Sequence, residues 1–416
     1  MNRKMITGER IMYVDAATPL NCVFTARIRG QIDAGRLRQA LAGLQRKHPL
    51  LRARIEDGPI PRFITVPDIG PIPVRIKARQ SDEDWEAESE REWSRLFDEP
   101  RLPLARLVWI RAEEISELLL VLPHCVCDGT TFVALMRELL TLLDEPETDI
   151  GVSAGFSSVA DLLPADFQAS VGKKWRTRFF GLLARGFFLM KPGAACTAEG
   201  KPYALRWTLG KTETRELLAC AREAGISVHV ALCTAVLKAF QEVRGKQAHG
   251  KAICPADIRR YLPAIKEDMM FAFAPIVELS LPKKGDFQTA AQSLRDQLAD
   301  KIGTLDAAGL LWSSEFFHAS VRKMVSFLRA TPGTHDVTFS NMGKVAISET
   351  FGSFEVERLF TPTVAFPWMN PNTLVVSSYR GVMDFVFLSR DTFLSPEEAK
   401  AILDRTLQLI PVYASA

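Results

Sequence analysis

The sequence predicts a mixed α/β protein built as two lobes, and three observations lead there. Segments of helical period alternate with short β-rich runs along most of the chain. At 416 residues with 47% hydrophobic content, the chain exceeds one ordinary core. An irregular stretch between about 150 and 200 separates two patterned regions, so an N-terminal lobe over 1–150, a crossover over 151–200 and a C-terminal lobe over 201–416 are expected.

In the first region, Leu20–Arg29 alternates as a strand does, and Asp33 caps a helix that runs through Leu37, Ala40, Leu41 and Leu44. That helix stops at His48, because Pro49 disfavours helical geometry in the residue before it. Leu50–Ile55 reads as extended, Asp57–Pro61 as a turn, and strands are expected near 62–66 and 73–77. The acidic stretch 81–97 reads as a solvated helix, and Leu104–Arg111 as a strand.

Next comes the stretch that organises the region. The apolar run Leu118–Leu122 ends in Pro123-His124-Cys125-Val126-Cys127-Asp128-Gly129-Thr130, and the periodic Phe132–Leu140 follows. The pattern is a buried strand, a tight turn and an amphipathic helix. A neutral imidazole at the mouth of a packed strand accepts a proton near neutral pH, as a base acting on a hydroxyl or amine must. Gly129 lets the backbone turn sharply and brings an amide close to whatever His124 faces. Position carries this reading: His-x-x-x-Asp-Gly is short, but functional residues concentrate on such turns.

Seven Cys at positions 22, 125, 127, 196, 220, 233 and 254 are an odd number in a long chain and form no disulfide framework. Cys125 and Cys127 beside His124 invite a metal reading, yet no second Cys/His cluster along the chain supplies the remaining ligands. Both are read as small buried filler, and no metal is expected. The net charge of +3, spread without a basic stripe, excludes nucleic acid as an expected partner. Residues 1–10 carry charge but no apolar core segment follows them, so no secretion signal is read and a cytoplasmic protein is expected.

Within the crossover, Lys173–Lys191 is basic and amphipathic, too short and too charged to span a bilayer. It is read as a linker helix packed on the protein, the alternative being weak contact with a membrane surface. The C-terminal region opens on a strand at Tyr203–Leu209. Gly210-Lys211-Thr212 is not the end of a phosphate-binding loop, because Leu205 stands where that motif requires Gly. Helices are expected at 213–224, 227–244, 287–304 and 312–329, and strands at Lys251–Ala256, Phe273–Leu281 and Asp336–Val345. A hairpin over Asn372–Ser389 turns near Gly381, and a last helix is capped by Ser395 with Pro396 at its first position.

Lys47-His48-Pro49-Leu50-Leu51-Arg52, His124 to Gly129, Ser227–Leu232, Asp257-Ile258-Arg259 and Ser340-Asn341-Met342-Gly343 occur in an order that resembles the chloramphenicol-acetyltransferase-like superfamily. That group includes condensation domains and polyketide-associated alcohol acyltransferases. The resemblance spans nearly the whole chain, with His-x-x-x-Asp-Gly as its specific element. It implies a pseudo-dimer of two lobes with an active-site tunnel between them.

It further implies His124 as the catalytic base, and Asp128 as a structural residue paired with an Arg, for which Arg52 and Arg259 are the candidates. Gly129 would allow close approach, and Ser340 or Asn341 would donate to the developing oxyanion. His48 and His229 are expected to be structural. Pro123 stands where condensation domains usually carry a second His, which directs the match toward the free-standing acyltransferases.

The implied function is acyl transfer from a thioester to an alcohol or amine acceptor, with coenzyme A or a carrier-protein phosphopantetheine as co-substrate and no tightly bound cofactor. Direct transfer is expected, since no Ser or Cys is evidently paired with His124 as a nucleophile. The alternatives are a condensation-type enzyme forming an amide between carrier-bound substrates, and a catalytically silent relative that docks a carrier protein. A monomer is expected.

Overall fold

The computed structural model describes residues 1–153, 155–169, 172, 175, 178, 179, 182, 183, 186 and 200–410, so the expectation for 173–191 falls for the most part outside the described residues. In the first half the strands are β1 (Asn2–Lys4), β2 (Asn21–Arg29), β3 (Ala53–Glu56), β4 (Arg62–Thr65), β5 (Val74–Ala78), β6 (Arg106–Arg111) and β7 (Ile115–Pro123). The second half contributes β8 (Pro202–Leu209), β9 (Lys251–Pro255), β10 (Ile276–Ser280), β11 (Val337–Lys344), β12 (Glu355–Val364), β13 (Thr373–Tyr379) and β14 (Val382–Arg390). Among the described residues they build sheets of order β12-β2-β7-β6-β5 and β10-β9-β11-β13-β14-β8, with a small β1-β4-β3 sheet beside the first.

The helices are α1 (Thr7–Tyr13), α2 (Ala34–Lys47), α3 (Asp84–Trp93), α4 (Gly129–Asp144), α5 (Ala165–Ala169), α6 (Lys211–Glu223), α7 (Val228–Arg244), α8 (Phe287–Gly303), α9 (Ala307–Ser314), α10 (Val321–Ala330) and α11 (Pro396–Leu409). Each lobe forms by covering one sheet face with helices whose apolar residues repeat at helical spacing. In the first, Leu37, Leu41 and Leu44 of α2 join Leu135, Leu139 and Leu142 of α4 in one core with Phe24, Leu118 and Leu120 of the sheet. In the second, Leu232, Val236 and Phe240 of α7 and Ile402 of α11 pack with Phe385 and Phe387 of β14. The opposite faces share a third core: Val23, Val108 and Val121 of one sheet meet Val375, Val386 and Leu388 of the other, with Trp85 stacked on Phe360 at 3.7 Å.

Several expectations are corrected. The lobes are not divided at residue 200, because β12 leaves the second half to pair with β2, Leu359 opposite Ala26. Asp384 of β14 ties this strand back to the second sheet, accepting from the Thr361 amide at 2.8 Å and from Arg358 Nη2 at 2.7 Å. The acidic helix α3 is not solvated: Glu88 and Glu92 are buried and paired with Arg75 and Arg106, and Trp85 and Trp93 are core residues. Leu50 and Leu51 lie in a 3-10 turn, Pro49–Arg52, ahead of β3. The helix expected over 312–329 is broken into α9, a 3-10 segment at Glu315–Ser320 and α10. Elsewhere the expected elements form: Asp33 caps α2 by accepting from the Arg36 amide, and the β13–β14 hairpin turns at Arg380 and Gly381, both at positive φ.

Candidate active site

Strand β7 is central in its sheet, and its end is where the site begins. Pro123 is the last strand residue, and His124 starts a one-turn 3-10 segment, His124–Val126, pinned by its amide donating to the Leu20 carbonyl at 2.8 Å. The imidazole is partly accessible, with the Phe366 ring 5.7 Å from it. Its Nδ1 lies 2.9 Å from the Cys127 carbonyl oxygen. A carbonyl only accepts, so Nδ1 carries the hydrogen, and Nε2 of the neutral ring keeps its lone pair.

Asp128 faces another way. It is the N-cap of α4, accepting from the Thr131 amide at 2.9 Å, which stabilises the helix by about 1 kcal/mol. The same carboxylate takes both ends of the Arg259 guanidinium, Nη1 at 2.5 Å and Nη2 at 3.1 Å. Arg259 therefore holds Asp128, and Arg52 does not: it is exposed on the 3-10 turn before β3. Arg259 also donates to Thr131 Oγ1 at 3.1 Å and to the Lys266 carbonyl at 3.2 Å, so the loop after β9 is locked to the start of α4. Breaking such a pair leaves a largely buried charge unpaired.

A second set of ion pairs supports the same junction, between residues far apart in the chain. Lys47 Nζ reaches Glu138 of α4 at 2.6 Å and Asp268 at 2.9 Å, while His48 Nε2 meets the other Glu138 oxygen at 2.6 Å. His48 is fully buried and engaged by this carboxylate, a structural placement. His229, at the start of α7, stands 4.8 Å from the Phe339 ring and lines the cavity described next.

A cavity of about 660 Å³ opens beside the N-terminus of α4, lined by Asp128, Gly129 and Thr130 on one side and by Ser340, Asn341 and Met342 of β11 on the other. Gly129 allows close packing here: a Cβ on it would stand 3.3 Å from the methyl of the flexible Met342 side chain. The structure thus brings Ser340 and Asn341 to the Asp128–Thr130 end of the turn, while His124 is not among the residues that line this cavity. The Asn341 side-chain oxygen accepts from the Gly343 amide at 2.8 Å, which turns its Oδ1 toward the bulge that ends the regular β11 register.

Cys125 and Cys127 are both buried in the core of the first lobe, as filler would be, but Cys127 also has neighbours that Cys125 lacks. The thiols of Cys22 and Cys127 and a ring nitrogen of His124 all lie within 4.8 Å of one another. Antiparallel pairing sets Cys22 opposite Leu122 and so beside the end of β7, which supplies the third soft ligand that appears missing when the chain is read in order. Burial alone lowers the basicity of His124, but the Cys22 thiolate and the Cys127 carbonyl outweigh it and raise the ring pKa. Burial alone would raise the Cys22 pKa; the Cys127 thiol and His124 bring it down instead. The Cys22 thiol is also linked to that of Cys127, which burial and Cys22 push up.

Comparison with known proteins follows the same lines. Residues 198–388 match the family described as phthiocerol/phthiodiolone dimycocerosyl transferase C-terminus. A search of curated proteins finds no match. Among solved structures, polyketide synthase associated protein 5 from Mycobacterium tuberculosis superposes with a TM-score of 0.68 at 18% identity, over 98% of this chain and 97% of that one. The trichothecene 15-O-acetyltransferase from Fusarium sporotrichioides gives 0.72 at 13% identity, over 99% and 95%. The first condensation domain of the CDA synthetase gives 0.71 at 14% identity, over 100% and 96%. The chain thus has the two-lobed fold of these acyltransferases and condensation domains, and residues 198–388 match the dimycocerosyl transferase C-terminus family.

Proposed function

We propose that the protein transfers an acyl group from a thioester to a hydroxyl or amine acceptor, with His124 as the base. The observation that carries this is the fixed tautomer: Nδ1–H is committed to the Cys127 carbonyl, and the ring is partly accessible. In the form with one proton on the Cys22–His124 pair and that proton on sulfur, Nε2 takes the acceptor's proton as its oxygen or nitrogen attacks the thioester carbonyl. The carbonyl electrons move to oxygen, where Ser340 or Asn341 donates, and collapse expels the thiolate, which takes the proton from the imidazolium. Asp128 and Arg259 hold the turn in shape and take no part in proton transfer. The cavity between α4 and β11 admits substrate, as one arm of the tunnel that the fold implies.

The donor is an acyl thioester of coenzyme A or of a carrier protein, and the compartment is the cytoplasm. Among the described residues no single helix is long and apolar enough to cross a membrane. The acceptor is more readily an alcohol, since one structural neighbour is an O-acetyltransferase and Pro123 replaces the second His usual in condensation domains.

Thiol release from a panel of short and long acyl-coenzyme A donors, with and without mixed alcohols and amines, tests the reading. Acceptor-dependent release supports it. Release from carrier-bound donors alone moves the assignment to the condensation type, and silence with both leaves a binding protein.

The contact of Cys22 with His124 favours a second reading, a covalent acyl-Cys22 intermediate. Intact mass after incubation with donor alone separates the two. Direct transfer leaves the mass unchanged, whereas an acyl adduct absent from Cys22→Ser establishes the covalent route.

A further inference from the structure

We propose that Cys22, Cys127 and His124 form a binding site for a thiophilic divalent cation, Zn²⁺ by chemistry, and that its occupation silences the base. Three soft ligand atoms within 4.8 Å of one another come from three places in the chain: strand β2, the residue that begins the 3-10 turn and the residue that follows it. In a tetrahedral Zn²⁺ site with bonds of about 2.3 Å to sulfur and about 2.0 Å to nitrogen, ligand atoms stand roughly 3.3–3.8 Å apart, so modest closure of the present cluster suffices. Harder cations such as Mg²⁺ and Ca²⁺ require oxygen donors and are excluded by this ligand set.

Three further features suit the site to that ion. The Nδ1–H of His124 donates to the Cys127 carbonyl at 2.9 Å, the outer hydrogen bond that metal-binding imidazoles commonly make, so Nε2 is the nitrogen that would ligate the ion. Two thiolates and a neutral imidazole around Zn²⁺ sum to zero charge, so the loaded cluster puts no net charge into the strand end, where Cys22 and Cys127 are buried. Three protein ligands also leave a fourth position for water, the arrangement of an open rather than a closed site. Binding displaces two protons to solvent, one from the Cys22–His124 pair and one from Cys127, and changes no oxidation state.

Binding does not depend on the acyl-transfer reading, but the loss of turnover does. The full chain, reduced and stripped of metal with a chelator, is titrated with ZnCl₂ against a chromophoric chelator and, separately, with Co²⁺ while visible absorption is recorded. One ion per chain is expected, with a thiolate-to-Co²⁺ charge-transfer band. Binding should weaken at least about tenfold in Cys22→Ser and in Cys127→Ser, and stay unchanged in Cys125→Ser. The Co²⁺ spectrum is read on the wild-type protein, so it stands even if a variant fails to fold. Absence of the band, or tight Zn²⁺ binding that survives both substitutions, overturns the site. In parallel, one equivalent of Zn²⁺ should abolish acceptor-dependent thiol release and excess chelator should restore it. Stoichiometric binding at the cluster with full turnover overturns the silencing and contradicts His124 as base, while the metal site itself stands.

Discussion

The two ends of one short turn are held in opposite ways. At the Asp128 end every strong group is consumed: the carboxylate caps α4 and grips Arg259, and that arginine is tied to Thr131 and Lys266. At the His124 end no carboxylate or arginine grips the ring: one nitrogen bonds the Cys127 carbonyl and the Cys22 thiol stands beside the imidazole. The contrast teaches that conformational rigidity and chemical availability are supplied by different residues, four apart. His48 makes the same point from the other side: buried and engaged by Glu138, it has nothing to offer a substrate.

Breaking the rigid end should cost most in stability. Arg259→Ala leaves Asp128 without its partner, and a loss of about 3–5 kcal/mol is expected in denaturant unfolding, with lower activity following from a displaced turn. An unfolding midpoint equal to wild type would contradict the assignment of Arg259. Glu138→Gln removes the charge that Lys47 and His48 share, and a loss of roughly 2–4 kcal/mol should appear in the same assay, smaller because Asp268 still meets Lys47. Gly129→Ala presses a methyl against the flexible Met342 side chain, so stability should change by less than about 1 kcal/mol while KM for one substrate rises several-fold. An unaltered KM would separate Gly129 from the substrate path.

Much of this was legible in the chain, because its signals are local. Asp33 and Pro49 bound α2, and an apolar run closed by Asp-Gly marks the end of β7 and the start of α4. Strand β12 has no counterpart among the expected elements, and Pro362 lies inside it. It is an edge strand that β2 makes possible, and its register shifts between Phe360 and Thr363, across Pro362. The choice of Arg259 over Arg52 depends on where the loop after β9 lies, which no periodicity records. Cys22 was passed over for the same reason: only the β2–β7 register brings it to His124. The buried acids of α3 read as solvent-facing because their partners, Arg75 and Arg106, lie on the flanking strands β5 and β6, 13 and 14 residues away, beyond the reach of helical periodicity.

The division of labour within the turn is tested most directly in His124→Ala, by acceptor-dependent thiol release per mole of folded protein, with the melting temperature measured on the same sample. Removal of the base predicts a fall of about a hundredfold or more at an unchanged melting temperature. Turnover equal to wild type, or a loss only in proportion to unfolded protein, would contradict the account.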